Sequence, residues 1–325
     1  MPVYAYLKVD RRALRRTEYL KKSSVDNVDI CRSVWAVPPL ALDTQNRPLK
    51  APNAALIRHI EAGGVSTILW GGNANIYGMT GKTFAAMAEM IPQWVASETW
   101  AIPSVGPDYG KLMEHAAVLR GQGYPAAMLL PYSGPRDQRG TEAAIRDFVE
   151  AACIPAILYL RQTSYLPPER IARLFEEGIL IALKYAVETG DFCVDPYLEA
   201  ILSCVPRSQI VSGIGEIAAI SHLMKFALAG FTAGAVCIAP KRSSLVHQAL
   251  LSGSRSVAEN LCLAIQPLED LRIAHGAIPV LHEAVTASGI ADMGRIRPHF
   301  APLEAETVAA IRHAVITLRA LEEKL

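Results

Sequence analysis

The sequence predicts an α/β protein: a (β/α)8 TIM barrel with an appended C-terminal helical bundle. Three observations carry this. Eight short, nearly continuous apolar runs recur between Ser33 and Ala239. The segments between the runs carry helical periodicity. About 85 residues of mostly helical pattern then follow, from Lys241 to Leu325.

The runs are SVWAVPPLAL (33–42), STILWGG (66–72), WAIPSVG (100–106), AAMLLPY (126–132), PAILYLR (155–161), ILIALKYA (179–186), QIVSGIG (209–215) and FTAGAVCIA (231–239). Strands with one wet face alternate polar and apolar residues. Parallel strands covered on both faces read instead as continuous apolar runs. Helical spacing shows between them, as in Phe84-Met87-Met90-Ile91-Trp94 and Leu112-His115-Ala116-Leu119. Gly63-Gly64, Gly121-Gln122-Gly123, Gly178 and Gly230 are expected to end helices, because glycine adopts the left-handed conformation that stops one. Eight βα units in sequence predict a closed barrel. The competing open doubly wound sheet would be favoured by a GxGxxG after the first strand, and none is present. The expected organisation is a basic N-terminal extension (1–32), the barrel (33–240, its closing helix following) and C-terminal helices (241–325), about three of them in a bundle. The C-terminal stretch is too long for one closing helix.

The chain is 51% hydrophobic and 19% charged, with a net charge of +1. That composition supports a sizeable core and points away from nucleic acid or a membrane surface as partner. The longest charge-free apolar stretch near the end, Phe226 to Pro240, is fifteen residues, short of the roughly 20 a span needs. No signal peptide is visible, so a soluble cytoplasmic protein is expected. The cysteines at 31, 153, 193, 204, 237 and 262 lack CxxC spacing. They read as buried free thiols rather than a disulfide or zinc framework. The histidines show no HxH or HExxH, so no metal site is expected; His59, His115 and His222 read as ordinary helix residues. The N-terminal extension carries seven Lys/Arg against two acids between residues 1 and 24, and reads as a solvated arm packing on the barrel or on a neighbouring subunit.

The sixth run contains a lysine, Lys184. Side chains alternate along a strand, so Leu180, Ala182, Lys184 and Ala186 share one face. Ile179, Ile181, Leu183 and Tyr185 share the other and suit packing against helices. The first set then points into the barrel, and the two alanines leave room around Lys184. Desolvation there lowers a lysine's pKa and makes the neutral amine accessible. A neutral amine beside a carbonyl forms a Schiff base. A lysine paired with an internal carboxylate, or reaching solvent from the strand end, fits the residues alone equally well. In the fifth run Tyr159 and Arg161 share a face. A phenol near an amine can shuttle protons, and a guanidinium can hold a substrate carboxylate; an ordinary core tyrosine is the plain alternative for Tyr159.

Several segments together resemble the dihydrodipicolinate synthase / N-acetylneuraminate lyase family of class I pyruvate-dependent enzymes, over about residues 33 to 315. They are HIEAGGVSTILWGGNANIYGMT (59–80), MLLPY (128–132), IPAILYLR (154–161), ILIALKYAVETGD (179–191), SGIGE (212–216) and AGFTAGAVCIAP (229–240). The resemblance implies that Lys184 forms the imine with a 2-oxo acid and that Tyr159 moves protons. It implies no cofactor, because the protonated imine is itself the electron sink. It also implies a homo-oligomer, a dimer or a tetramer.

The sequence departs from that pattern where the substrate is held. The family's GTTGE loop corresponds to Gly71-Gly72-Asn73-Ala74-Asn75. Its two adjacent threonines, which bind the 2-oxo acid carboxylate and join a hydroxyl relay, correspond to Gly72 and Asn73, and its glutamate to Asn75. Backbone N–H groups and the Asn73 amide are the remaining donors. A tyrosine lent across subunits corresponds to Ser133, and the synthase's substrate arginine to Ser164. Arg161 lies three residues before Ser164 and is no direct substitute. Other polar residues expected at the C-terminal mouth are Tyr132, Ser133 and Arg136 after strand four, Glu188 and Thr189 after strand six, and Ser212, Gly213, Gly215 and Glu216 after strand seven. Gly213 and Gly215 let the backbone approach a ligand closely.

The leading expectation is a Schiff-base-forming lyase, aldolase or dehydratase in type. It acts on pyruvate or a 2-oxo-3-deoxy acid, with Lys184 as nucleophile, Tyr159 as proton shuttle, and Gly72, Asn73, Asn75, Tyr132, Ser133, Arg161 and Gly213 around the substrate. The alternatives are a dihydrodipicolinate synthase-like condensation, a reduced barrel that binds a 2-oxo acid without turnover, and a barrel of unrelated chemistry using phosphate sites after strands seven and eight.

Overall fold

The computed structural model describes residue 20, residues 22–296 and residues 298–325. Most of the basic segment read at the N-terminus lies outside the described residues. Eight parallel strands close in sequence order: β1 (Trp35–Ala36), β2 (Thr67–Trp70), β3 (Trp100–Val105), β4 (Ala127–Leu129), β5 (Ala156–Leu160), β6 (Leu180–Tyr185), β7 (Ile210–Ser212) and β8 (Gly230–Ala233), with β8 paired back to β1. The TIM barrel is the predicted one, and every strand lies within its apolar run or one residue beside it. The strands are shorter than the runs for local reasons. In the first run Pro38 and Pro39 have no N–H for a ladder, so pairing stops at Ala36.

The helices interleaved with the strands are α2 (Lys50–Ala62), α3 (Gly81–Met90), α4 (Tyr109–Leu119), α5 (Gln138–Ala152), α6 (Pro168–Glu176), α7 (Pro196–Leu202), α8 (Glu216–Phe226) and α9 (Pro240–Leu251), preceded by a short α1 (Asn27–Cys31). The helical spacings read from the sequence are the buried faces of α3 and α4: Phe84, Met87, Leu112, His115, Ala116 and Leu119 are all buried. Beyond α9 come four more helices rather than about three: α10 (Arg255–Leu263), α11 (Gln266–His275), α12 (Ala277–Ala287) and α13 (Ala305–Glu322). Gly63 caps α2, and Gly121 and Gly178, with φ of 79° and 70°, follow α4 and α6. Gly230 does not end a helix. It opens β8, and α8 ends instead at Ala227 in the left-handed region, φ 54°. The six cysteines are free, but only Cys237 and Cys262 are buried; Cys153 and Cys204 are exposed. Both exposed thiols sit at helix ends, where the apolar runs that suggested burial have already given way to turns.

α1 packs at the N-terminal ends of β1 and β8. Asp26 caps it and shares a capping box with Asp29, while Lys22 Nζ pairs with Asp29 at 2.8 Å. Trp35 Nε1 donates to the Ile30 carbonyl at 3.0 Å, and the same carbonyl lies 3.6 Å from where a Gly230 side chain would begin. The mouth at the C-terminal strand ends is the face where barrels of this kind carry their chemistry. Outside the barrel, Tyr185 Oη donates to Asp195 Oδ2 at 2.6 Å. Asp195 also accepts from Leu198 N at the start of α7, which fixes β6 against its following helix.

A buried polar cluster joins the barrel to the C-terminal helices. Glu216, the first residue of α8, is fully buried and accepts from Ser243 Oγ of α9 at 2.8 Å. Its Oε2 has no hydrogen-bond partner. On α11, Glu269 accepts from Arg272 Nη1 at 2.6 and 2.8 Å. Gly234, just past β8, makes room for that guanidinium; a side chain there would start 2.7 Å from Arg272 Cζ. Burial, and next the Glu269 charge, hold the Glu216 carboxyl well above the ordinary carboxylate range.

A carboxyl whose folded pKa is raised keeps its proton in the folded state after the unfolded chain has released it. Its stabilising contribution is therefore complete below the unfolded value of 4.5 and declines as pH rises through the folded one. Glu216→Gln, which keeps the Ser243 bond and cannot ionise, is predicted to gain stability relative to the parent as pH rises above 4.5. The buried histidines titrate alike in both proteins and cancel in that difference. Urea unfolding of the two proteins at pH 5 and pH 8 reads the difference directly.

Candidate active site

Two side chains that lie 25 positions apart in sequence become direct neighbours on the barrel wall. Tyr159 of β5 and Lys184 of β6 are register partners across the β5–β6 ladder. Lys184 Nζ stands 3.8 Å over the centroid of the Tyr159 ring. Lys184 is only 5% exposed. Burial, reinforced by the positive charges of Arg161 and Arg272, pulls its pKa from 10.5 down to about 7. The face of an aromatic ring favours the ammonium, but by about 2 kcal/mol at most when desolvated. The downward shift corresponds to something on the order of 5 kcal/mol, so desolvation prevails. Burial also raises the Tyr159 phenol, which keeps it protonated and able to donate.

The inward face of β6 is the predicted one. A side chain on Gly213, just past β7, would begin 2.7 Å from Ala186 Cβ and 3.0 Å from Lys184 Cγ. Gly213 thus presses bare backbone against the lysine stem, and its N–H donates to the Tyr185 carbonyl. This is the close approach that glycine permits, directed here to the lysine's own chain.

A cleft of about 300 Å³ opens beside this pair, lined by Tyr77, Pro131, Tyr132, Ser133, Arg161, Gln162 and Tyr165. Arg161 is half-exposed and lies 3.9 Å from Glu188, itself 73% exposed. A pair so solvated contributes at most about 1 kcal/mol, which leaves the guanidinium available to an anionic ligand. Tyr132 N donates to Tyr165 Oη at 3.3 Å, and Arg136 stacks over the Tyr165 ring at 4.1 Å. Ser133 is exposed at the rim.

The GGNAN loop is a one-turn 3-10 helix, Gly72–Ala74, entered from β2. Its two asparagines have structural partners. Asn73 Nδ2 donates to the Val37 carbonyl at 2.8 Å, and Asn75 Nδ2 to the Pro298 carbonyl at 2.9 Å. Both line a crevice of about 10 Å³ with Leu40, Ile278 and Arg295, separate from the 300 Å³ cleft. Of the residues expected around the substrate, Arg161, Tyr132 and Ser133 line the cleft, Gly213 packs on the Lys184 stem and Gly72 lies near Tyr77; Lys184 and Tyr159 do not line the cleft themselves, and the amides of Asn73 and Asn75 hold the loop.

Two residues at this mouth were not singled out from the sequence. Tyr77 lies against the loop, its Cε2 3.7 Å from where a Gly72 side chain would start. Burial and the neighbouring Tyr159 push its phenol up to about 12. Ser104 is the one hydroxyl of β3; it is fully buried, and its Oγ has no hydrogen-bond partner among the described residues. A buried hydroxyl left unpaired costs about 1–3 kcal/mol. A lone serine inside the run WAIPSV was the available signal for the second residue. Tyr77 follows a loop with no periodicity, and nothing local marked it. Among the described residues no group of three or more His, Cys, Asp or Glu is placed to hold a metal ion, and no helix is long and apolar enough to cross a membrane.

Comparison with known proteins places the chain among relatives. The Dihydrodipicolinate synthetase family profile matches residues 53–317. A Streptomyces coelicolor protein described as "Probable 5-dehydro-4-deoxyglucarate dehydratase 1" is 21% identical over 248 residues, 74% of this chain and 78% of that protein. The crystal structure of dihydrodipicolinate synthase from Bacillus clausii superposes with a TM-score of 0.77 at 18% identity, covering 89% of this chain and 98% of the other. That from Agrobacterium tumefaciens gives 0.78 at 17%, covering 90% and 100%. At such identities the superpositions show the shared fold alone.

Proposed function

The chain belongs to the dihydrodipicolinate synthetase family, and on that premise we propose that it is a Schiff-base-forming lyase, aldolase or dehydratase in type, acting on pyruvate or a 2-oxo-3-deoxy acid. The observation that carries this reading is the buried Lys184 amine held 3.8 Å over the Tyr159 ring. With its pKa near 7, about half of Lys184 is neutral at neutral pH. The neutral amine adds to C2 of the 2-oxo acid to give a carbinolamine. Loss of water, with a proton delivered by the Tyr159 phenol, gives the iminium. The iminium then accepts the electron pair released at C3: in dehydration the Tyr159 phenolate left by the first transfer takes the C3 proton, and in retro-aldol cleavage it takes the C4 hydroxyl proton as the C3–C4 bond breaks and an aldehyde departs. The re-formed phenol then gives that proton back, in dehydration to the C4 hydroxyl, which leaves as water as the enamine becomes a conjugated iminium, and in cleavage to C3 of the enamine. Water hydrolyses the final imine and returns the amine.

The cleft favours a substrate longer than pyruvate. Arg161 is the cation of that cleft and three tyrosines line it with Ser133 and Gln162, a wall of hydroxyls and an amide that suits a polyhydroxylated acid. The dehydratase relative is consistent with this. Condensation of the dihydrodipicolinate synthase kind is disfavoured, because serines stand at positions 133 and 164, where the resemblance places the partner tyrosine and the substrate arginine.

Incubation with pyruvate followed by borohydride reduction is expected to leave a mass-spectrometric adduct on Lys184 that Lys184→Ala lacks. Absence of an adduct with pyruvate and with a panel of 2-oxo acids would favour a barrel that binds without turnover. Tyr159→Phe is predicted to lower kcat about 10²–10⁴-fold and to form the pyruvate adduct on Lys184 more slowly than the parent. An unchanged kcat and an unchanged rate of adduct formation would contradict a proton-transfer role for Tyr159.

A further inference from the structure

The barrel holds a second polar group in the interior wall that the reading above does not use. On β3 the side chains of Trp100, Ile102 and Ser104 share one face. Trp70 pairs with Pro103 across the β2–β3 ladder, so the next residues along, Gly71 and Ser104, stand side by side. A side chain on Gly71 would begin 3.5 Å from Ser104 Oγ, 3.3 Å from Met128 Cε and 3.6 Å from Val37 Cγ1. These atoms therefore converge on the interior space that the missing Gly71 side chain leaves open. Ser104 is in register with Met128 of β4, and Met128 with Ile157 of β5. Ile157 is two residues before Tyr159 on the same face, and the stagger of about one residue per strand in a closed eight-stranded barrel sets Ser104 level with Tyr159 on the interior wall. Its hydroxyl is fully buried and, among the described residues, without a hydrogen-bond partner.

An alanine at this position would fit the same backbone and would leave no unpaired hydroxyl. A serine there works against stability unless something completes it. The neighbouring loop shows what is wanted: Gly72 carries no hydroxyl, and the Asn73 amide is engaged with Val37. We infer that the Ser104 hydroxyl binds the C1 carboxylate of the 2-oxo acid, donating from β3 the hydrogen bond that the GGNAN loop cannot supply. Hydrogen bonds to charged acceptors are the strong ones, so one donor aimed from a dry wall has a measurable effect. The inference rests on the Schiff-base reading for the pose of the acid, with C2 at Lys184.

The test is Ser104→Ala, measured for pyruvate affinity by calorimetry, for apo-protein melting, and for borohydride-trapped adducts of pyruvate and of acetone, the same carbonyl without a carboxylate. The expected result is a pyruvate Kd raised about tenfold or more, equal to about 1.4 kcal/mol per tenfold. The apo protein should melt no lower than the parent, and acetone should label Lys184 equally in both. An unchanged pyruvate Kd, or a lower melting temperature with both adducts lost, would overturn the assignment. A parent that binds pyruvate without forming the adduct sinks the Schiff-base reading, and the calorimetry still decides Ser104. A parent that binds no pyruvate at all overturns both.

Discussion

The structure depends on taking one ammonium group out of water. Among the described residues no carboxylate forms an ion pair with Lys184, so burial costs its ammonium more than the Tyr159 ring returns. It faces a tyrosine ring at 3.8 Å and feels two guanidinium groups, Arg161 and Arg272. Everything in that environment except the ring face opposes the charge, and desolvation outweighs the ring. The rest of the wall is shaped around this. Ala182 and Ala186 make space along the strand, and Gly213 lets the β7 backbone close against the lysine stem. α1 packs at the opposite ends of β1 and β8.

The C-terminal helices belong to the same electrostatic arrangement. Arg272 reaches from α11 to the end of β8, where only a glycine at 234 admits it. Its charge is balanced by Glu269, and Glu269 in turn helps keep the Glu216 carboxyl protonated. The guanidinium also adds to the fields that lower Lys184. One residue of the helices beyond α9 thus contributes to the field at the mouth.

Much of this was legible in the sequence, because period and continuity of apolar residues are local properties. The eight runs gave eight strands, and alternation alone put Lys184 on the inward face. The partnership of Tyr159 and Lys184 was implied by the family resemblance, and the β5–β6 register makes them neighbours. What escaped reading depends on contacts between distant segments. Asn73 looks like a free donor until Val37, 36 residues earlier, captures its amide. Tyr77 lines the cleft from a loop held by distant partners: Asn73 to Val37, Asn75 to Pro298, and Lys111 Nζ to the Tyr77 carbonyl. Gly230 resembles a helix stop, yet the left-handed residue is Ala227 three positions before it. Ser104 was visible as an oddity in β3, but its lack of a partner is a fact of three dimensions.

The central claim is that the Lys184 amine loses its proton near pH 7, and the most direct measurement is an NMR titration of protein labelled with ¹⁵N at lysine Nζ, between pH 5 and pH 11. The expected result is one resonance that titrates near pH 7 and is absent in Lys184→Ala. A spectrum in which no resonance titrates near pH 7 would contradict it.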